Sequence, residues 1–181
     1  APGTRITSRS ARPISSSGLE LGSPVDGMEE VDGQAVLALS QIPDQPGIAA
    51  RLFETLSEAG INVDLIIQAT HEGSSNDITF TVAEADLKLA RTVSQTVLDQ
   101  LGGDLASEAG LTKLSISGAG IMGRPGIAAS LFNCLCQHGI NLRLIATSEV
   151  KVSCVIDSSS GSKAVQAVQE AFDLEDSQIR I

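Results

Sequence analysis

The stretch DQPGIAARLFETLSEAGINVDLIIQ (44–68) returns later in the chain as GRPGIAASLFNCLCQHGINLRLIAT (123–147), at an offset of 123 − 44 = 79 residues. Both copies open on a Pro-Gly-Ile-Ala-Ala run and carry a Gly-Ile-Asn triplet at the same distance behind it. An ungapped match of this length does not arise by chance. The chain therefore contains a duplicated structural module.

The apolar pattern around the repeat predicts the same elements in both copies. Pro46 and Pro125 favour helix starts, and Gly60 and Gly139 favour the helix ends. The predicted elements of the first copy are strands at 36–42, 61–70, 78–82 and 104–108, with helices from Pro46 and at 87–101. Those of the second are strands at 114–120, 140–150, 152–156 and 177–181, with helices from Pro125 and at 162–172. This order predicts an α+β protein made of two ferredoxin-like βαββαβ domains.

Residues 1–34 differ in composition from the repeat. Arg5, Arg9 and Arg12 come first, acidic residues follow from Glu20 onwards, and Ser, Gly and Pro are frequent. We therefore predict a linker or tail at 1–34 that follows a catalytic domain, with at most a short strand near 25–28. The first domain is then expected at 35–110 and the second at 111–181.

The overall composition excludes some classes of partner. The formal net charge is -10 and aromatic residues make up 2%. Nucleic-acid contacts need clustered Lys and Arg, and base stacking needs exposed aromatics, so we expect no nucleic acid. Apolar runs fall short of the roughly 20 residues of a membrane span, so we expect no membrane.

The three cysteines, Cys134, Cys136 and Cys154, form an odd set without a spaced framework. This pattern predicts reduced thiols in a cytoplasmic compartment, with each cysteine acting as a small buried apolar residue.

The sequence offers little for catalysis. Neither His71 nor His138 belongs to a nucleophile motif, and the chain has no phosphate loop of the Walker type. Gly118-Ala119-Gly120 lacks the third glycine of a dinucleotide loop. We therefore expect no catalytic residue, no metal and no cofactor in this chain.

The Asp44-Gln45-Pro46-Gly47 loop is the candidate binding feature. Asp44 directly precedes a predicted helix, so one interpretation is a helix cap. The other is a site for a free amino acid. Backbone N–H groups at the helix start attract a carboxylate, and Asp44 is suited to the ligand's ammonium group. Gly47 leaves room for close approach of the backbone.

Asp-x-Pro-Gly, an amphipathic helix and Gly-Ile-Asn together resemble the ACT domain, a small-ligand sensor. The runs NVDLIIQ (62–68), NDITFTV (76–82), SISGAG (115–120) and LIATSEVKVS (144–153) resemble more narrowly the paired ACT domains of aspartate kinases. PGTRI (2–6) is similar to the segment that closes their catalytic domain.

The resemblance implies allosteric feedback inhibition by lysine, threonine or both, with effectors bound between ACT domains that pair side by side. The strand pairs Asn62-Val63 and Asn141-Leu142 would offer backbone groups to the effector's α-amino and carboxylate groups. The polar residues near strand ends, Gln68, Ser148 and Glu149, would recognise the effector side chain. The effector-binding residues implied by motif are Asp44, Gly47, Ile48, Ala49, Asn62, Val63, Asp64, Gln68, Ile127, Ala128, Asn141, Leu142, Ser148 and Glu149.

The two copies are not equivalent at these positions. Asp44 aligns with Gly123, Asp64 with Arg143, and Gln68 with Thr147, so the second copy has lost the acidic loop. We therefore expect composite pockets, in a homodimer that joins ACT domains of two chains. A solvated hairpin remains an alternative reading of Ser148 and Glu149.

The expected partners are an amino-acid effector and an aspartate kinase catalytic domain. The chain is then expected to be either a regulatory fragment of the kinase or a separate regulatory subunit. A tandem ACT sensor of another metabolic or transcriptional regulator is the alternative function. A ferredoxin-like nucleic-acid binder or enzyme is disfavoured by the acidity, the lack of aromatics and the lack of a catalytic constellation.

Overall fold

A computed structural model describes residues 24–71, 75–121 and 124–181. The PGTRI segment and most of the predicted tail lie outside these residues. In chain order the strands and helices are β1 Gly27–Pro43, α1 Ile48–Glu58, β2 Val63–His71, β3 Ser75–Ala83, α2 Leu87–Leu101, β4 Asp104–Ser117, α3 Ile127–Gln137, β5 Leu144–Thr147, β6 Lys151–Asp157, α4 Gly161–Phe172 and β7 Ile179–Arg180.

The strands of both copies belong to one continuous sheet in the order β2-β3-β1-β4-β6-β5, with β7 paired to β1. β1 and β4 are long antiparallel strands that run through both copies. The predicted strands at 104–108 and 114–120 are thus one strand, which ends at Ser117 before the glycine-rich segment. The strand predicted at 140–150 is shorter than expected and covers only four residues.

The prediction of a linker with at most a short strand before residue 35 was wrong for residues 27–34. β1 begins at Gly27, and its first part pairs with the first strand of the second copy, Met28 opposite Ile116. Val25 and Met28 are almost fully buried in the core of the second copy. The sequence pattern did not indicate this strand, because the side chains at 29, 30 and 32 are acidic. The division at 35–110 and 111–181 remains a prediction for the folding units.

Each copy has its own aliphatic core between its helices and the sheet. In the first, α1 contributes Ile48, Leu52 and Leu56 as predicted, and the rings of Phe53 and Phe80 meet edge to face at 5.6 Å. In the second, α3 and the strands supply the equivalent residues, among them Leu131, Leu135, Val152, Cys154 and Ile156. The fold is that of two ferredoxin-like modules, and we call them the first and second module.

A third apolar cluster joins the two modules on the faces that point away from the helices. Leu65 and Ile67 of β2 pack with a buried set from the second module, Leu111, Leu144 and Val155. Three ion pairs lie beside this contact. Lys113 of β4 is buried and pairs with Asp64 of β2, and Arg143 before β5 pairs with Glu108 and Asp157.

The cysteine prediction was correct for two residues and wrong for the third. Cys134 and Cys154 are buried free thiols, whereas Cys136 is exposed on α3. Burial raises the pKa of the Cys154 thiol to about 12 and also raises that of Cys134, so neither is a reactive thiolate near neutral pH. Among the helices of the described residues, none has the length and apolar character needed to cross a bilayer.

Candidate functional site

A pocket of about 320 Å³ lies where the Asp44 loop meets the first turn of α1 and the ends of β2 and β3. It brings together five of the eight first-copy residues predicted from sequence: Asp44, Gly47, Ile48, Ala49 and Gln68. The remaining wall is formed by Ile42, Gln45, Pro46, Asn76 and Ile78.

The start of α1 leaves backbone donors available. Gly47, the N-cap residue, has φ 94°, and no side chain among the described residues caps the helix. The Arg51 amide donates to the Gly47 carbonyl at 2.9 Å, which closes the first turn. The amides of Ala49 and Ala50 have no acceptor within the described residues. Such groups, at the positive end of the helix dipole, favour an anion.

Asp44 does not cap the helix, so the capping interpretation was wrong. Its Oδ1 atom instead accepts a hydrogen bond of 2.8 Å from Nδ2 of Asn76, 32 residues further along the chain on β3. Because the carboxylate can only accept, it fixes the orientation of the Asn76 amide. Asp44 itself is exposed on its other side.

Asn76 is a pocket residue that the sequence reasoning missed. It is only 5% exposed, and its Oδ1 atom is buried without a hydrogen-bond partner among the described residues. A buried acceptor in this state costs about 1–3 kcal/mol. The signal was present in the sequence: Asn76 shares the alternating face of Ile78 and Phe80, where a polar residue at the end of an apolar row stands out.

The other three predicted residues of the first copy lie outside this pocket. Asn62 is exposed just before β2, and Val63 packs against the core of the first module. Asp64 is engaged by Lys113 of the second module. Within a single chain, Asp64 therefore ties the two modules together.

The six second-copy residues lie on the second module. Ile127 is buried in its core, and Ala128 and Leu142 pack against that core. Asn141 and Glu149 are exposed. The backbone amide of Ser148 donates to the Lys151 carbonyl at 2.8 Å in the turn between β5 and β6. None of the six lines the Asp44 pocket.

The two strands next to these residues are the outer strands of the sheet path, β2 at one end and β5 at the other. Ile66 on β2 is 52% exposed, and Ile145, its counterpart on β5, is 41% exposed. Open edges that carry exposed branched side chains are suited to pairing with another chain.

The histidines have structural contacts. Nε2 of His71 lies 2.8 Å from Oδ2 of Asp77, and this contact, together with the Gln41 amide, lowers the pKa of Asp77. Nδ1 of His138 lies 2.8 Å from the Cys134 carbonyl in the last turn of α3. Within the part of the chain that the structure describes, neither ring forms a hydrogen bond with a serine or cysteine side chain.

The matching family model and the matching relatives indicate the same class of protein. The family model of the ACT domain matches residues 38–95 and again 114–172. An aspartokinase of Thermus thermophilus is 36% identical over 159 residues, which cover 87% of this chain and 39% of that protein. The chain thus spans about two fifths of the length of this relative.

Solved structures extend the comparison. The ligand-free regulatory subunit of aspartate kinase from Thermus thermophilus superposes with a TM-score of 0.76 at 37% identity, over 82% of this chain and 99% of that one. Aspartate kinase from Synechocystis superposes with a TM-score of 0.82 at 42% identity, over 87% of this chain and 28% of that one.

Proposed function

The chain belongs to the ACT-domain family, as a regulatory region of the aspartate kinase type, and from this premise we propose that its Asp44 pocket binds a free amino acid. One observation carries the proposal. A carboxylate, a buried amide oxygen that lacks a donor, and the uncapped start of a helix line the same pocket. These groups match the two charges of an amino-acid zwitterion.

The α-ammonium group of the ligand is placed between Asp44 and the Asn76 oxygen. It would supply the donor that Asn76 lacks and neutralise the carboxylate beside it. The α-carboxylate is placed against the amides of Ala49 and Ala50 at the positive end of α1. Each charge of the ligand then meets its complement in one pocket.

Threonine is the effector that this pocket favours. Its methyl group suits the apolar wall of Ile42, Ile48 and Ile78, and its hydroxyl suits the amide of Gln68. Lysine needs a further acid for its side-chain ammonium. Asp64 is already engaged by Lys113, so Glu149 of a paired domain is the remaining candidate. We therefore propose threonine at the Asp44 pocket and lysine at a site that includes Glu149.

The pocket is open, and we propose that a second copy of the chain completes it. Pairing of the β2 edge with the β5 edge of another chain would cover Ile66 and Ile145. The same pairing would bring Asn141, Leu142 and the Ser148-Glu149 turn of the partner towards the Asp44 loop. A mass strictly of the monomer at tens of micromolar, with and without threonine, would contradict this homodimer.

The aspartate kinase activity is proposed to reside outside this chain, in a catalytic domain that it regulates. The matched structures include a separate regulatory subunit as well as a longer kinase, so both arrangements occur among the relatives. The pure chain is expected to show no aspartate-dependent ATP turnover.

Calorimetric titration of the chain with each of the twenty amino acids tests the proposal. Removal of a hydrogen bond to a charged group costs roughly 1.5–3 kcal/mol, so Asp44→Ala should weaken threonine binding about tenfold to a hundredfold. The control is Asp99→Ala, which removes an exposed carboxylate on α2. Equal affinities for Asp44→Ala and Asp99→Ala would remove Asp44 from the site, and no heat with any amino acid would end the sensor proposal.

A further inference from the structure

A second charged pocket, of about 300 Å³, lies in the second module at the start of β1 and beside β7. Its principal lining residues are Asp26, Gly27, Glu29, Ser117, Lys151 and Arg180. It is far from the Asp44 loop in the fold, because β1 runs from this pocket at Gly27 to the other loop at Pro43. None of the residues assigned to the Asp44 pocket contributes to it.

The charges of the pocket are balanced, with two carboxylates and two cations. Glu29 and Lys151 already satisfy each other, with 2.6 Å between Oε2 and Nζ. Lys151, supported by Lys113 and Arg180, holds the pKa of Glu29 below its usual range. Asp26 and Arg180 form no ion pair among the described residues, which leaves one anion and one cation available.

The floor of the pocket depends on a glycine. Gly27 lies opposite Ser117 in the strand register, and a Cβ atom added to Gly27 would lie 2.9 Å from the Ser117 hydroxyl oxygen. Ser117 follows Ile116, which is buried in the core, so its hydroxyl lies on the other face of the strand. A side chain at position 27 would therefore crowd the Ser117 hydroxyl at this pocket.

The charged residues of this pocket are not repeated at the aligned positions of the first module. The repeat offset of 79 aligns Ser117 with Ala38. In the third strands Cys154 pairs with Ile145 as Phe80 pairs with Ile66, so the offset there is 154 − 80 = 74 and Lys151 aligns with Asp77. The duplicated scaffold thus does not require these charges, and they belong to the second module alone.

We propose that this pocket binds the zwitterion of a free α-amino acid, at a site distinct from the Asp44 pocket. The ligand carboxylate pairs with the guanidinium of Arg180, whose planar donors match a carboxylate. The ligand ammonium pairs with Asp26, and Ser117 offers a hydroxyl to either group. This proposal does not rest on the function of the Asp44 pocket.

Residue-resolved NMR of the whole chain separates the two sites. The amide of Gly27 reports on the second pocket and that of Gly47 on the first. Titration with L-threonine should shift Gly27 in the wild type and equally in Asp44→Ala. N-acetyl-L-threonine, which is an anion, and L-threonine amide, which is a cation, should each shift Gly27 much less. Equal shifts with the N-acetyl compound would overturn the zwitterion assignment.

Variants test the contacts. Arg180→Gln and Asp26→Asn should each weaken the threonine affinity read at Gly27 about fivefold, which is the upper range for an exposed ion pair. The affinity read at Gly47 should stay unchanged. Gly27→Ala, read at the Arg180 amide, should also weaken binding, because the added Cβ atom crowds the Ser117 hydroxyl. Lys88→Gln, an equal change of charge on α2, is the control and should alter neither response. An unshifted Gly27, or one that loses its response in Asp44→Ala, would overturn the proposal whatever Gly47 shows.

Discussion

In the first module the loop before the helix carries Asp44 and contacts Asn76 of β3, whereas the matching residues of the second module are Gly123 and Val150. The helices that follow are alike. Both have 11 residues, both begin after a glycine with φ near 100° (94° at Gly47 and 104° at Gly126), and no cap from a described side chain is present in either. The helix start is thus common to both modules, and the polar pair is confined to one.

This difference separates the scaffold from the site. The apolar face of the helix and the glycine turns keep the two modules alike, because each must fill the same space between helix and sheet. The proposed ligand chemistry depends on two positions, one on the loop and one on the strand beside it. Matched substitutions in the shared scaffold should therefore change stability equally in the two modules, whereas substitutions of the polar pair should change binding at the first module.

The largest expected effect concerns the shared scaffold. Leu52 and Leu131 occupy equivalent places, 131 − 52 = 79, and are 1% and 0% exposed. Each Leu→Ala change should lower the free energy of unfolding by about 2–5 kcal/mol, because a buried side chain is replaced by a cavity. Denaturant titration checks this. A loss below about 1 kcal/mol in one module only would show that its core is built differently.

A second prediction concerns a position where the cores differ. Cys154 replaces the aligned Phe80, and burial raises its pKa to about 12 from an ordinary value of 9.0. The unfolded thiol therefore ionises first, and stability falls as the pH rises from about 9 to about 12, with a slope of up to about 1.4 kcal/mol per pH unit. Unfolding of wild type and Cys154→Ala across this range is the measurement. Parallel curves for the two proteins would exclude the thiol as the cause.

A smaller effect is expected at the two N-cap glycines. Gly47→Ala and Gly126→Ala each place a Cβ atom on a residue in the left-handed backbone region. Each should lower the free energy of unfolding by about 1–2 kcal/mol. A Cβ at either position would have no neighbour within 4 Å, so the cost is conformational and should be the same in both. Thermal unfolding of the two variants checks the equality. A difference above about 1 kcal/mol would mean that the two turns differ in more than their sequences.

Much of the fold could be predicted because it rests on local periodicity. The face of α1 with Leu52 and Leu56 and the glycine that ends the helix are local signals. The start of β1 was missed because its partner strand lies more than 80 residues away, Glu29 opposite Ser115. Only the pairing shows that this acidic stretch forms a strand, with Met28 buried in the core.

The candidate site divides in the same way. Asp44, Gly47 and Gln68 could be predicted because a motif and a helix start mark them. The contact of Asp44 with Asn76 and that of Asp64 with Lys113 join residues that are distant in sequence. Their roles depend on how the sheet brings the strands together, and motif spacing does not encode this.

The most direct test of the account is a calorimetric double-mutant cycle with threonine on Asp44→Ala, Asn76→Val and the double variant. Asn76→Val keeps the strand and installs the residue type found in the second module. Each single change should weaken binding about tenfold or more. The double variant should lose less than the product of the two, because the residues act through one hydrogen bond. Unchanged affinity in Asn76→Val, or fully additive losses, would contradict a site built on this pair.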